Sequence, residues 1–288
     1  SPKRKTRKQL PASPFNKRNL SIFVIIFAVL GAYFVFSGKA ATSIAYRTLG
    51  IYPGGCGVDK NPVTELAAIE TWLGRKITTV AGNFGSATNA GSTNPFFEPR
   101  ANAGCYFDKK ETYRTRTDVT VATTLAMVSG GGGNAPAEFR RNFFNAVAGG
   151  TYDATWREIA QKFVAGGHGD DVVRLGHESD AKFYPWSIRD GVHKEYEKAW
   201  LHVRSVMKAV APDLRFDYQG DGPFDQINPA TGTSYAESAP EVLKVADIIG
   251  VDVYDSKSWS ANKAKLDYIQ KLATKYGKKF SIPEWGLR

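Results

Sequence analysis

From about residue 44 to the end of the chain, short β-rich segments alternate with longer helical patterns, and this rhythm restricts the fold more than any other feature. The predicted strands are 44–52, 77–82, 119–128, 171–175, 215–219, 248–254 and 279–283. The predicted helices are 62–73, 137–147, 156–164, 190–210, 240–246 and 262–276, the first of them opening on Pro62, a favoured first-turn residue. Strands alternating with helices imply a parallel α/β sheet. Seven such units point to a (β/α)8 TIM barrel rather than an open sheet. The rhythm stops after the seventh strand, and Arg288 lies four residues past Glu284, so the expectation is a barrel truncated at its eighth unit and occupying residues 41–288.

In such a barrel the chemistry sits where strands end. The fourth strand runs into Arg174-Leu175-Gly176-His177-Glu178-Ser179-Asp180 and then the aromatic loop Phe183-Tyr184-Pro185-Trp186. The seventh ends in Ile282-Pro283-Glu284-Trp285-Gly286. Each delivers a carboxylate beside aromatics, whose flat rings suit the C–H faces of sugars. Two carboxyls flanking one bond are what glycoside hydrolysis requires: one protonates the leaving oxygen, the other attacks the anomeric carbon or activates water. A single Glu at a strand end is as readily a helix cap or a salt bridge. Two on these strands, each next to Trp or Tyr, favour the chemical reading.

Those residues, with Val251-Asp252-Val253-Tyr254, resemble glycoside hydrolase family 26. The resemblance implies a cofactor-free retaining endo-β-glycanase, β-mannan being the commonest substrate expected, with Glu178 as acid/base and Glu284 as nucleophile. It also implies that His177 borders the acid/base, that Tyr254 contacts the nucleophile and that Trp186 is a sugar platform. The sequence departs from the family after Glu178, where Ser179-Asp180 replaces Asn-Gly or Gly in a loop that shapes subsites.

Other residues read less specifically. Arg174 either keeps Glu284 charged, binds a sugar hydroxyl, or is a buried strut. Trp259 and Trp285 are further candidate sugar contacts, as are Asp217, Tyr218 and Asp221 at the end of the fifth strand. Asp252, inside the sixth strand, reads as structural. His168-Gly169-Asp170-Asp171 lies at the opposite rim and reads as a turn, so no metal site is expected. The Gly130–Gly133 run lacks the Lys-Ser or Lys-Thr of a phosphate loop and reads as a flexible loop.

The net charge of +10 is local. Lys3, Arg4, Lys5, Arg7, Lys8, Lys17 and Arg18 supply seven positive charges with no acid among them, leaving +3 for the remainder. A nucleic-acid footprint would need clustered basic residues on the folded part, and none is evident. Residues 20–36 then form an uncharged apolar run of 17 residues. Basic tail, apolar run and the small residues Ser37, Gly38, Ala40 and Ala41 together read as a signal peptide or an uncleaved signal-anchor. Either places the barrel outside the cytoplasm, secreted or membrane-anchored. There Cys56 and Cys105 could pair, or remain buried thiols. The expectation is a monomer whose partners are a polysaccharide and, if the run is uncut, a membrane.

Overall fold

The strands pair in the order in which they occur in the chain. The computed structural model describes residues 49–51, 62–84, 118–128, 135–220, 228–254 and 259–286. Its elements are β1 (Gly50–Ile51), α1 (Pro62–Leu73), β2 (Thr79–Phe84), β3 (Thr120–Leu125), α2 (Ala137–Ala148), α3 (Asp153–Gly166), β4 (Val172–Leu175), α4 (His193–Lys208), β5 (Arg215–Gly220), α5 (Pro240–Val245), β6 (Ile248–Val251), β7 (Val253–Tyr254), α6 (Trp259–Lys275), β8 (Lys279–Ser281) and β9 (Trp285–Gly286). Seven strands form one parallel sheet, in the order β1-β2-β3-β4-β5-β6-β8. This is the β/α barrel topology that the rhythm implies. The basic tail, the apolar run 20–36, Cys56, Cys105, the Gly130–Gly133 run and Asp221 lie outside the described residues. Among the described residues, no helix is long and apolar enough to cross a membrane.

The period-two alternation of the strands sorts side chains onto two faces. Val173 and Leu175 of β4, Phe216 and Tyr218 of β5, and Ile249 and Val251 of β6 face the helices in one apolar core. They meet Tyr196, Ala199, Trp200 and Val203 of α4, an i, i+3, i+4, i+7 stripe. Fully burying one such aliphatic or phenyl group is worth about 1.5–3 kcal/mol. Tyr218 therefore belongs to the core, edge-on to Trp200, and does not reach toward a glycan.

The opposite face is polar. Thr124, Arg174 and Asp217 are in register across β3, β4 and β5, and Gln219, Gly250 and Ser281 across β5, β6 and β8. Asp217 is buried there, bonded to Ser281 Oγ at 2.8 Å, which removes it too from any glycan-contacting rim. A Cβ on Gly250 would collide with Ser281 Oγ and press on Asp217 and Pro283, so this close approach of β6 and β8 requires glycine.

The sheet is strongly curved. β4 and β8 are three strand spacings apart, about 14 Å in a flat sheet. Yet Arg174 on β4 bonds Glu284, just past β8, at 2.7 Å. Beyond β6 and β8 the chains separate at Asp252 and Pro283, then pair again as the two-stranded β7-β9 ladder. The sixth strand is thus broken at Asp252, where the sequence reading had it continuous.

Candidate active site

The three acids of the site, Glu178, Asp252 and Glu284, sit just past the ends of β4, β6 and β8. β4 is buried along its whole length and ends at Leu175. Gly176 follows with φ +57°, then His177, then Glu178 with φ +49°. A left-handed backbone at a non-glycine residue costs about 1–3 kcal/mol and persists only where its surroundings hold it. From this turn Glu178, 5% exposed, meets Asp252 and Glu284. One carboxylate oxygen from each of the three lies within 4.8 Å of the others.

Arg174 rises into this cluster from beneath. Its Nη2 donates to Glu284 Oε1 at 2.7 Å and Asp252 Oδ2 at 3.3 Å. Its Nη1 donates to Thr124 Oγ1 at 3.0 Å and its Nε to Gln219 Oε1 at 2.7 Å. At 2% exposure it is a buried strut that also keeps Glu284 charged; it is not a sugar contact. Three acids this close resemble a cation cage, and the guanidinium supplies one positive charge to two of them, Glu284 and Asp252.

The electrostatics separate the acids. Burial pushes Glu284 upward, but Arg174 and the Tyr254 hydroxyl, 2.5 Å from Oε2, outweigh it and hold the carboxyl below its ordinary value. Burial drives Asp252 well above the carboxylate range against the pull of Arg174, with repulsion from Glu284 and Glu178 adding to the rise. This shift favours the protonated form of Asp252, which hydrogen-bonds Glu178. Burial, then the charge of Arg174, pushes His177 down to about 3, so the imidazole is neutral at ordinary pH. Its Nε2 pairs with Tyr184 Oη at 2.9 Å, and Tyr184 also hydrogen-bonds Glu178. Burial raises the Tyr184 phenol, followed by the nearby Glu178, so it stays protonated.

Of the nine candidate residues, Arg174, His177, Glu178, Tyr184, Tyr254 and Glu284 converge at this point. Trp285 stands 69% exposed on β9, next to Glu284, with a ring open to a ligand. Trp259 opens α6, and its side chain lies outside what is described. Trp186 is corrected: it is 5% exposed, stacked on Tyr184 at 4.4 Å, and donates its indole N–H to His177 O at 2.7 Å. It buttresses the site from behind and offers no sugar platform. Ser179 and Asp180 are likewise buried, so the departure from the family pattern alters the support of the turn more than its exposed lining. Two residues at the site were named in the sequence reading but not singled out as site residues. Asp252 was placed inside a strand, although an acid in an otherwise apolar run is itself a signal. Phe183, 55% exposed beside Tyr184, adds a second accessible ring. The turn at 168–171 is as expected: His168 Nδ1 and Asp171 Oδ2 pair at 2.5 Å, and Asp171 Oδ1 caps Val121 N.

No family model matches the sequence, and no curated protein does. Solved structures do. A β-mannanase from a symbiotic protist of the termite Reticulitermes speratus, complexed with a gluco-manno-oligosaccharide, superposes with a TM-score of 0.57 at 15% identity, over 82% of this chain and 73% of that one. GH26A from a Muricauda species gives 0.53 at 16% identity, over 83% and 76%. A GH26 β-mannanase from Bacteroides ovatus gives 0.50 at 14% identity, over 73% and 62%, so this chain spans less than two thirds of that protein. At these identities the likeness establishes the fold, that of the family 26 glycoside hydrolases.

Proposed function

We propose that this chain is a retaining endo-β-glycanase, with Glu178 as acid/base, Glu284 as nucleophile and β-mannan as substrate. The observation that carries the reading is the close approach of the two carboxyls, one oxygen of Glu178 lying within 4.8 Å of one oxygen of Glu284, on the retaining side of the two ranges. Retaining glycosidases hold the pair about 5–5.5 Å apart, whereas inverting ones leave about 6.5–9.5 Å for a water. The β-mannanases among the structural neighbours support the choice of substrate.

In the first step Glu178 delivers its proton to the glycosidic oxygen. The bond from that oxygen to the anomeric carbon breaks, and Glu284 attacks the same carbon to form a glycosyl ester. In the second, Glu178, now ionised, takes a proton from water. The water oxygen displaces Glu284 from the anomeric carbon, and Glu178 is again protonated. Arg174 and Tyr254 keep Glu284 ionised and aimed. Protonated Asp252 and Tyr184 can donate to Glu178 once it has lost its proton, which favours its base form. Neutral His177 orients Tyr184. Trp285 and Phe183 give stacking surface. The basic tail and apolar run 20–36 would export the domain to reach an extracellular polysaccharide.

The test is hydrolysis of mannan, xylan and mixed-linkage β-glucan by the full chain, with Glu178→Gln and Glu284→Gln as controls. Cleavage of mannan, abolished by Glu284→Gln, is expected. Glycan binding without turnover by the unmutated chain would replace the enzyme with a glycan-binding barrel.

A further inference from the structure

Six consecutive carbonyls, from Leu175 to Asp180, surround Glu178 as the chain leaves the sheet, and every one has a hydrogen-bond donor. Leu175 O accepts from Trp200 Nε1 at 3.2 Å, Gly176 O from Tyr196 Oη at 3.2 Å and His177 O from Trp186 Nε1 at 2.7 Å. Glu178 O accepts from Ala181 N at 2.9 Å, Ser179 O from Ile188 N at 2.7 Å and Asp180 O from Arg189 Nε. Four of these six donors are side chains, all of them buried. Most backbone groups find backbone or water partners, so this share of side-chain donors marks a turn built for rigidity.

The donors are themselves held. Arg140, fully buried on α2, donates to Ser187 O at 2.6 Å and Arg189 O at 3.2 Å, and pairs with Asp190 at 2.5 Å. The Tyr196 hydroxyl also fills the space where a Cβ at Gly176 would lie, 3.1 Å away. The left-handed backbone of Glu178 is therefore imposed from outside, by groups well removed from any substrate.

We propose that Trp186 and Tyr196 are positioning residues, which cap the carbonyls of His177 and Gly176 and thereby hold Glu178 in line with the leaving oxygen. The inference rests on the proposed acid/base role of Glu178. Losing a cap leaves a buried carbonyl unpaired and frees the turn to relax toward ordinary backbone angles. Glu178 would then shift relative to the oxygen it protonates, while Glu284, held by Arg174 and Tyr254, would not.

The experiment compares Tyr196→Phe and Trp186→Phe with the unmutated full chain on two substrates sharing one sugar: a manno-oligosaccharide, whose leaving group needs a proton, and a 2,4-dinitrophenyl β-mannobioside, whose leaving group does not. Each variant should lose about 10–100-fold in kcat/KM on the oligosaccharide. On the aryl glycoside it should lose less than about threefold, because general acid catalysis contributes little there. Azide, a nucleophile that needs no base, should raise kcat of the variants on the aryl glycoside and leave the unmutated chain unchanged. Equal losses on both substrates, or no loss on either, would overturn the inference alone. If Trp186→Phe fails to fold, Tyr196→Phe, which deletes one oxygen atom, decides the matter. Failure of the unmutated chain on both substrates would overturn the proposed function and the inference with it.

Discussion

At the scale of single residues, the site is a contest among carboxyls for one guanidinium. Arg174 lies nearer Glu284 than Asp252, and Tyr254 adds its hydroxyl to Glu284. Glu284 is therefore shifted toward its ionised form and Asp252 toward its protonated one. Tyr254→Phe removes a donor that favours the charged form, so the pKa of Glu284 must rise. The acid limb of kcat/KM should move to higher pH. A hydrogen bond to a charged group is worth about 1.5–3 kcal/mol, which translates to a loss of about 10–100-fold in kcat. A pH–rate profile with an unmoved acid limb would detach Tyr254 from the nucleophile. Glu178 and Glu284 were legible from sequence as acids beside aromatics, each three residues past the end of its strand, β4 or β8. The role of Asp252 was not. Its partners Arg174 and Glu284 are distant in the chain; the pairing of β6 with β8 brings Glu284 to it, and the curvature of the sheet brings Arg174.

At the scale of elements, the strands carry two programmes at once. Their outward residues fasten the helices, and their inward residues assemble a polar layer beneath the acids. Barrel interiors are commonly filled by branched apolar side chains. Here Thr124, Arg174, Asp217, Gln219 and Ser281 replace them in part. That substitution has a thermodynamic consequence. Burial lifts Asp217 to about 6, against the hydrogen bond from Ser281 and the charge of Arg174. Between the ordinary carboxylate range and about 6, the folded state holds a proton that the unfolded state has released, so stability falls as pH rises through that window. The full effect is about 3 kcal/mol. Asp217→Asn cannot ionise. The melting temperature of the variant minus that of the unmutated chain should therefore climb between pH 4 and pH 6.5, as followed by circular dichroism. A constant difference would mean that Asp217 is ionised in the fold throughout. The alternation of β5 was visible in its sequence; that its polar face would also be buried was not, because that depends on the strands paired beside it. Helix bounds were more local: α1 starts and stops where Pro62 and Gly74 place it. Burial of Trp186 was beyond local reading too, since Tyr184 and the His177 carbonyl come to it only when the loop folds back.

At the scale of the whole molecule, seven parallel strands place one acid-bearing turn after β4 and another after β8, and curvature closes the gap between them. The barrel architecture was the most legible feature, because a strand-helix rhythm sustained over the chain admits few other folds. The N-terminal basic and apolar segments belong to this scale as well. Expressed as the full chain in a bacterium with a Sec pathway, the protein should reach the outer face of the inner membrane or the medium, where added protease degrades it in spheroplasts. Protection inside intact spheroplasts would contradict the export reading. The central claim, however, is that two carboxylates act on opposite faces of one sugar in successive displacements. The most direct measurement is the anomeric configuration of the first-formed reducing end, followed by proton NMR during hydrolysis of a β-manno-oligosaccharide. The account predicts the β-anomer first, converting later to the equilibrium mixture. The α-anomer appearing first would mean a single displacement and would contradict it.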